Sequence, residues 1–375
     1  MDFYLCCQLI PFALVVLVAA FLGVQILFLI VLGTALLRWK PLQLAEERPP
    51  VSVIVCAHDE AVNLRELVPL LLHQTYPNAE LIIVDDRSND DTYDFLLELT
   101  AAVPHVKMVR VTQTPGHIPG KKFALTLGIR AAKNDVVVVT DADCRPVGND
   151  WLAGLVGQLT PTQDFVIGIS PYRQQPGFLN LFIRYEAWLT SIQMAGFALV
   201  GMPYMGVGRN LLYRKALFLK SKGFNSHLHV TSGDDDLFLN EHATAANVGV
   251  CLLPQAVVMS DPKSSWRDFF IQKTRHLSAG KYYRPGHRLV LAIFGISLMA
   301  STLLLPALLT PLFAITIALF LARWAILTAV VYTFTHRLKV RFEWWWVPVL
   351  DFVYSIYYLV AGTSALVTKK VRWKN

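Results

Sequence analysis

The chain has 375 residues, of which 54% are apolar and 16% are charged, with a formal net charge of +7. A soluble domain averages about 25% charged residues, so the composition excludes one uniform soluble domain and points to a soluble region flanked by membrane segments. The positive residues stand beside apolar runs, at Arg38 and Lys40, Lys281 to Arg288, Arg337 to Arg341 and Lys369 to Lys374. That placement suits the cytoplasmic headgroup layer of membrane lipids, and no nucleic acid partner is expected.

Residues Leu9 to Leu37 are almost wholly apolar, interrupted mainly by Gln25 and Thr34. About 20 such residues make a spanning helix. The run is too long for a signal-peptide core and lacks a basic leader, so residues 1–40 are expected to be an uncleaved anchor with its N-terminus outside. The five cysteines, Cys6, Cys7, Cys56, Cys144 and Cys251, form no metal or disulfide pattern and suit a reducing compartment.

Residues 50–285 then alternate short β-branched runs (Val51 to Ala57, Leu81 to Val84, Val136 to Thr140) with helical patterns at Val62 to Gln74 and Phe123 to Ala132. This alternation implies βαβ units and a parallel sheet. Phe178 to Val200 is apolar but holds Arg184, Glu186 and Gln193. Three polar groups in one span are costly, and the expectation is an amphipathic helix lying on the interface.

The last region, 286–375, has room for two spans in Leu289 to Phe334, turning at Pro306 to Pro311, and a further apolar stretch at Trp344 to Val367. Crossing by every stretch places the basic tail outside, against the positive-inside tendency, so re-entry or partial insertion of the last stretch is the alternative. Arg323 falls mid-span and calls for a polar partner, with Asp351 as the candidate.

Four clusters in the soluble region carry chemistry. Asp85 and Asp86 end a buried strand in "LIIVDDRSNDDT", at the sheet edge where ligands bind in open α/β folds. Lys121 and Lys122 open a helix in "GKKFAL", where a lysine meets phosphate as a point charge. Asp141 and Asp143 follow four valines in "VVVVTDADC"; residues two apart on an extended chain face the same way and suit one divalent cation. Asp234, Asp235 and Asp236 crowd together in "SGDDDLFLN", which raises at least one pKa and suits a general base. Downstream, Gln272-x-x-Arg275-His276 supplies a guanidinium able to grip a diphosphate. Each pattern alone also fits an acidic turn or a solvated helix start.

Their order, from "AHDE" through "VDDRSNDDT", the lysine segment, "TDADC" and the acidic run to Q-x-x-R, resembles glycosyltransferase family 2, of the GT-A fold, over Val51 to Lys281. The resemblance implies an α/β, Rossmann-like GT-A domain on transmembrane helices at the cytoplasmic membrane. It implies inverting transfer from a nucleotide diphosphate sugar, with a UDP-sugar as the expected donor, to a lipid or lipid-linked acceptor. Ala57, Asp59, Glu60, Asp85, Asp86, Lys121, Asp141, Gln272 and Arg275 would bind the donor. Asp141 and Asp143 would hold Mg²⁺ or Mn²⁺. Gly208, Asn210 and His276 would lie on the acceptor side, with His276 standing where the family has Trp. Asp235 would be the base, with Asp234 and Asp236 beside it and Asp236 the alternative in a register shifted by one. A processive polysaccharide synthase and a non-catalytic nucleotide-sugar-binding membrane protein are the competing readings.

Overall fold

The computed structural model describes residues 2–42 and 48–367. The basic tail Lys369 to Lys374 lies outside the described residues. The elements run α1 (Asp2–Arg38), β1 (Val51–Ala57), α2 (Ala61–Leu72), β2 (Ala79–Asp86), α3 (Thr92–Ala102), β3 (Val106–Val111), α4 (Gly120–Ala131), β4 (Val136–Asp141), β5 (Cys144–Pro146), α5 (Trp151–Val156), β6 (Phe165–Ile167) and α6 (Phe178–Leu199). They continue with β7 (Leu211–Arg214), α7 (Lys215–Lys220), α8 (Asp236–His242), β8 (Val248–Val250), β9 (Val258–Ser260), α9 (Trp266–Ala279), α10 (Pro285–Leu303), α11 (Phe313–Arg337) and α12 (Val347–Val367).

A seven-stranded sheet has the order β3-β2-β1-β4-β7-β6-β8. β1, β2, β3 and β4 are parallel, as expected for βαβ units, with Val53 beside Leu81 and Val138. β7 runs antiparallel to β4 and β6, so the sheet is mixed. β1 and β4 are central and buried on both faces, which is why they read as unbroken apolar runs. Their C-terminal ends deliver Ala57 and Asp141 to one edge. A small second sheet pairs β5 with β9 antiparallel and holds the segment after Asp143 in place.

Among the described residues, four helices are long and apolar enough to cross a membrane: Phe12–Arg38, Pro285–Leu309, Phe313–Arg337 and Trp344–Ser364. The final stretch is thus a full-length helix. Gly33 and Gly196 let α1 close on α11 and α6. A Cβ at Gly33 would lie 2.7 Å from Val330, and one at Gly196 would lie 2.9 Å from Leu32. Small residues of this kind bring helices together where lipid offers no hydrophobic drive.

Two expectations met different outcomes. Arg323 does pair with Asp351, in contact through both guanidinium Nη atoms, and both residues are buried. Trp324 Nε1 (3.0 Å) and Tyr185 Oη (3.3 Å) donate to the same carboxylate, and Gln25 Oε1 accepts from Arg323 at 3.4 Å. The network therefore links α1, α6, α11 and α12. The helix at Phe178–Leu199, in contrast, has no water-facing stripe. It is buried along almost its whole length, between the sheet and the apolar helices. Its two charged groups are matched within the fold. Arg184 donates to Glu343 (2.8 Å) and to the Arg341 carbonyl (2.6 Å), and Glu186 pairs with Lys273. Internal pairing, rather than water, satisfies the charges that had suggested a surface helix.

Candidate active site

One cavity of about 1600 Å³ opens at the C-terminal edge of the parallel strands. Of the residues singled out in the sequence, Ala57, Glu60, Asp86, Lys121, Asp141, Asp143, Asp234, Asp235, Asp236, Gln272, Arg275 and His276 line it.

Lys121 sits in the first turn of α4, at the foot of the cavity. Its Nζ is 3.0 Å from Asp141 Oδ1 and 3.0 Å from Asp234 Oδ2. Burial alone would favour the neutral amine, but the two carboxylates hold Lys121 charged, well above its ordinary range. Burial likewise opposes ionisation of Asp234, and Lys121 overrides it, so Asp234 stays below the usual carboxylate range.

The three adjacent aspartates are thereby set apart. Gly233, at φ +89°, turns the chain into them in a conformation that favours glycine. Asp235 caps α8. Its Oδ1 accepts from the Asp236 amide at 2.8 Å and its Oδ2 from the Gly208 amide at 2.7 Å. Burial and then Asp234 raise its pKa. Asp235 is also the least buried of the three. Asp236 turns the other way. It accepts from the Leu237 amide (2.8 Å) and from Tyr283 Oη (2.7 Å), and burial with Asp235 beside it pushes it up to about 8.

Asp141 and Asp143 line the same cavity, and burial with Asp141 alongside raises Asp143 to about 6. Two carboxylates held close at this cost fit a divalent cation. Among the described residues no cluster of three or more His, Cys, Asp or Glu could hold a metal by itself. The donor set therefore suits a hard ion that completes its shell with substrate oxygens.

Asp59 and Asp85 do not line the cavity. Asp59, at φ +55°, accepts from the Asn89 amide (2.7 Å), and Asp85 accepts from the Ser88 amide (3.1 Å). Asp59 ties the loop after β1 to the loop after β2, and Asp85 braces the loop that follows its own strand. Asn210, expected on the acceptor side, is fully buried away from the cavity. It accepts from Trp151 Nε1 (3.0 Å) and donates to the carbonyls of Ile169 (3.0 Å) and Ala256 (2.8 Å). Its three bonds are structural, because a buried amide must find partners. Gly208 reaches the site only through its amide. Lys122, next to Lys121, is buried and donates to the carbonyls of His227 (2.6 Å) and Val230 (2.9 Å).

Sequence reasoning passed over three residues. Arg209 lines the cavity near Asp143, with its guanidinium 4.5 Å from the Tyr172 ring centre. It lies between the two glycine-segment residues that were noted, and no spacing marks it. Tyr283 and Lys263 also line the cavity.

The α9 helix that carries Gln272 and Arg275 is seated by an aromatic cluster. Phe269 packs on Phe182 of α6 (5.9 Å between ring centres) and on Tyr357 of α12 (5.6 Å). His276 is on the exposed side of α9, its Nε2 3.5 Å from Arg275 Nη2.

The sheet, the acidic edge and the apolar helices define a membrane-associated GT-A protein, and comparison with known proteins agrees. The pattern of "Glycosyl transferase family 2" matches residues 52–218, and that of "Glycosyl transferase family group 2" matches residues 136–361, over half the chain. The chain belongs to glycosyltransferase family 2.

A probable glycosyltransferase of Bacillus subtilis, YdaM, is 26% identical over 253 residues, 63% of this chain and 56% of that protein. A dolichol-phosphate mannosyltransferase of Pyrococcus furiosus is 37% identical over 94 residues, 25% of each chain. The chain thus spans little more than half the length of the first relative and a quarter of the second. Among solved structures, the mannosyltransferase PcManGT of Pyrobaculum calidifontis, in complex with GDP-Man and Mn²⁺, has the same fold. Its TM-score is 0.63 at 20% identity, covering 96% of this chain and 99% of that one.

Proposed function

We propose that the protein is an inverting glycosyltransferase that moves a sugar from a nucleotide diphosphate donor to a lipid or lipid-linked hydroxyl at the cytoplasmic membrane face. The observation that carries this reading is the single cavity that joins the Lys121–Asp141–Asp234 cluster, the carboxylate of Asp235 and the first turns of α10. A donor diphosphate fits the first and an acceptor arriving from the membrane fits the last. PcManGT was solved with a nucleotide sugar and the Pyrococcus relative is named for a lipid acceptor, which supports both halves.

In this reading the nucleotide lies along Ala57, Glu60 and Asp86, and Lys121 and Arg275 hold the diphosphate by charge. The acceptor oxygen attacks the anomeric carbon as the bond to the diphosphate breaks, and its proton passes to Asp235. The raised pKa and partial exposure of Asp235 suit that role, whereas Asp234 is committed to Lys121 and Asp236 to Tyr283. Asp141 and Asp143 would hold Mg²⁺ or Mn²⁺, which neutralises charge on the departing diphosphate. Gly208 orients Asp235 through its amide.

Purified protein in detergent, screened against UDP- and GDP-sugars with membrane lipids, should release nucleoside diphosphate only with Mg²⁺ or Mn²⁺. Full turnover in excess EDTA removes the metal role. Donor binding without turnover favours a binding protein, and a water-soluble ladder of long chains favours a polysaccharide synthase.

A further inference from the structure

Along the sheet edge the cavity-lining residues follow the order of the strands. Asp86 ends β2, Ala57 ends β1, Asp141 ends β4, Arg209 leads into β7 and Tyr172 follows β6, and these strands are successive neighbours in the sheet. A donor laid with its nucleoside at Ala57 and Asp86 and its diphosphate at Asp141 carries its sugar on toward Arg209 and Tyr172. There the cavity has a corner of its own. β5 pairs with β9, Cys144 beside Ser260, which sets the loop after β9 against Asp143. Tyr172 also bridges to Ser260, so Tyr172, Arg209, Ser260 and Lys263 line one corner.

Arg209 is held firmly in that corner. The Gly208 amide donates to Asp235 (2.7 Å), the Arg209 carbonyl accepts from Thr140 Oγ1 (2.9 Å), and the Asn210 side chain is locked by its bonds to Trp151, Ile169 and Ala256. Three consecutive residues are thus fixed, and the middle one presents its guanidinium to the cavity over the ring of the buried Tyr172. Among the described residues that guanidinium makes no hydrogen bond or ion pair, and its Nη1 is enclosed. An enclosed donor of this kind costs free energy unless a ligand supplies an acceptor. Lys263 adds a second positive charge, and both cations act by charge on Asp143. The nearby carboxylates have other partners. Asp261 pairs with Arg173 at 3.4 Å, Asp268 accepts from Ser265 Oγ at 2.6 Å, and Asp143 faces the metal in the proposed reaction.

We infer that Arg209, with Lys263, forms a second anion subsite beyond the diphosphate, and that the sugar of the donor is acidic, its carboxylate held by the Arg209 guanidinium. The inference rests on the transferase reading and specifies its donor. In that reading Lys121 and Arg275 already hold the diphosphate, so the cations at Arg209 and Lys263 meet the next group along the sheet edge, which is the sugar. The planar fork of an arginine matches a carboxylate through two parallel N–H bonds, and stacking on Tyr172 sets the fork before the ligand arrives. A neutral hexose offers hydroxyls only and leaves both positive charges without an anion.

The test titrates the full chain in detergent, with Mn²⁺, against UDP, UDP-glucose and UDP-glucuronate, and against GDP, GDP-mannose and GDP-mannuronate. In whichever series binds, the hexuronate should bind about tenfold or more tightly than the hexose, the scale of a charge-assisted pair. Arg209→Met should remove that preference while keeping the affinity for the bare nucleoside diphosphate, which also reports that the variant has folded. If it does not fold, the half-buried Lys263 serves, and Lys263→Met should lower the preference severalfold. Equal affinity for hexose and hexuronate in the unaltered chain overturns the inference and leaves the transferase reading standing. An equal loss of affinity for the bare diphosphate in folded Arg209→Met also overturns it, because Arg209 then belongs to the diphosphate. No nucleotide binding in either series sinks the transferase reading itself.

Discussion

Two cations, the half-buried Lys121 and the buried Arg323, are each surrounded by carboxylate and polar partners, and their settings differ in one respect. Lys121 and its partners Asp141 and Asp234 line the cavity, where a ligand's phosphates can compete for the ammonium. Arg323 and Asp351 are enclosed by α1, α6, α11 and α12, and their remaining neighbours, Trp324, Tyr185 and Gln25, are contributed by the same helices. The same chemical parts therefore serve recognition where they face an opening and cohesion where they do not. A cation with exchangeable partners can change its bonds during a reaction, whereas an enclosed one can only hold.

The largest expected effect breaks the enclosed pair. Arg323→Leu leaves Asp351 charged and buried, which costs about 3–5 kcal/mol. The double variant Arg323→Leu, Asp351→Leu should recover most of that loss, while turnover per folded molecule stays near its starting value. Thermal unfolding in detergent measures this, and strictly additive losses would remove the coupling.

On the cavity side, Asp235→Asn is nearly isosteric but cannot take a proton. Turnover should fall by about 10²-fold, equivalent to about 2.7 kcal/mol, with donor affinity retained. If Asp234→Asn or Asp236→Asn proves the more severe change, the base has been misassigned by one residue.

Asn210→Ala sharpens the line between site and scaffold. It strands the Trp151 indole N–H and two carbonyls, at a cost of about 1–3 kcal/mol in stability. The KM values of both substrates should not move in the protein that remains folded.

The remaining effect is a pH slope. Asp236 is pushed up to about 8 in the fold, against about 3.9 for an ordinary Asp. Between these values the folded chain keeps a proton that the unfolded chain has lost, so stability falls as pH rises through that window. Asp236→Asn should flatten the slope. Melting temperatures at pH 5 and pH 8, in both proteins, decide it.

The parts of the fold legible in the sequence were those with a strong local signal. β1, β2 and β4 appear as buried β-branched runs, and the apolar helices appear by length alone. The pair Arg323–Asp351 was legible because an isolated charge in an apolar run demands an answer. The three-residue strands β5, β6, β8 and β9 are too short to show a period, and the antiparallel insertion of β7 depends on contacts distant in sequence. α6 was misread because a helix buried all round keeps its polar groups for partners such as Glu343, which lies 159 residues from Arg184. In the site, carboxylates at strand ends could be found from pattern. Asn210 could not be separated from its neighbours, since only packing tells a scaffold amide from a binding one.

The bond from Tyr283 to Asp236 has a consequence of its own. Arg284 N donates to Asn240 Oδ1 at 2.8 Å, so the entry to α10 is stitched to α8 at two points, one of them adjacent to Asp235. In the proposed reaction, the depth of Asp235 relative to the bilayer would follow that of α10. A helix answers a mismatch in bilayer thickness by tilting or shifting, at a fraction of a kcal/mol per Å. In the proposed reaction, turnover should therefore vary with the acyl-chain length of the surrounding bilayer, which reconstitution in lipids of different chain length measures.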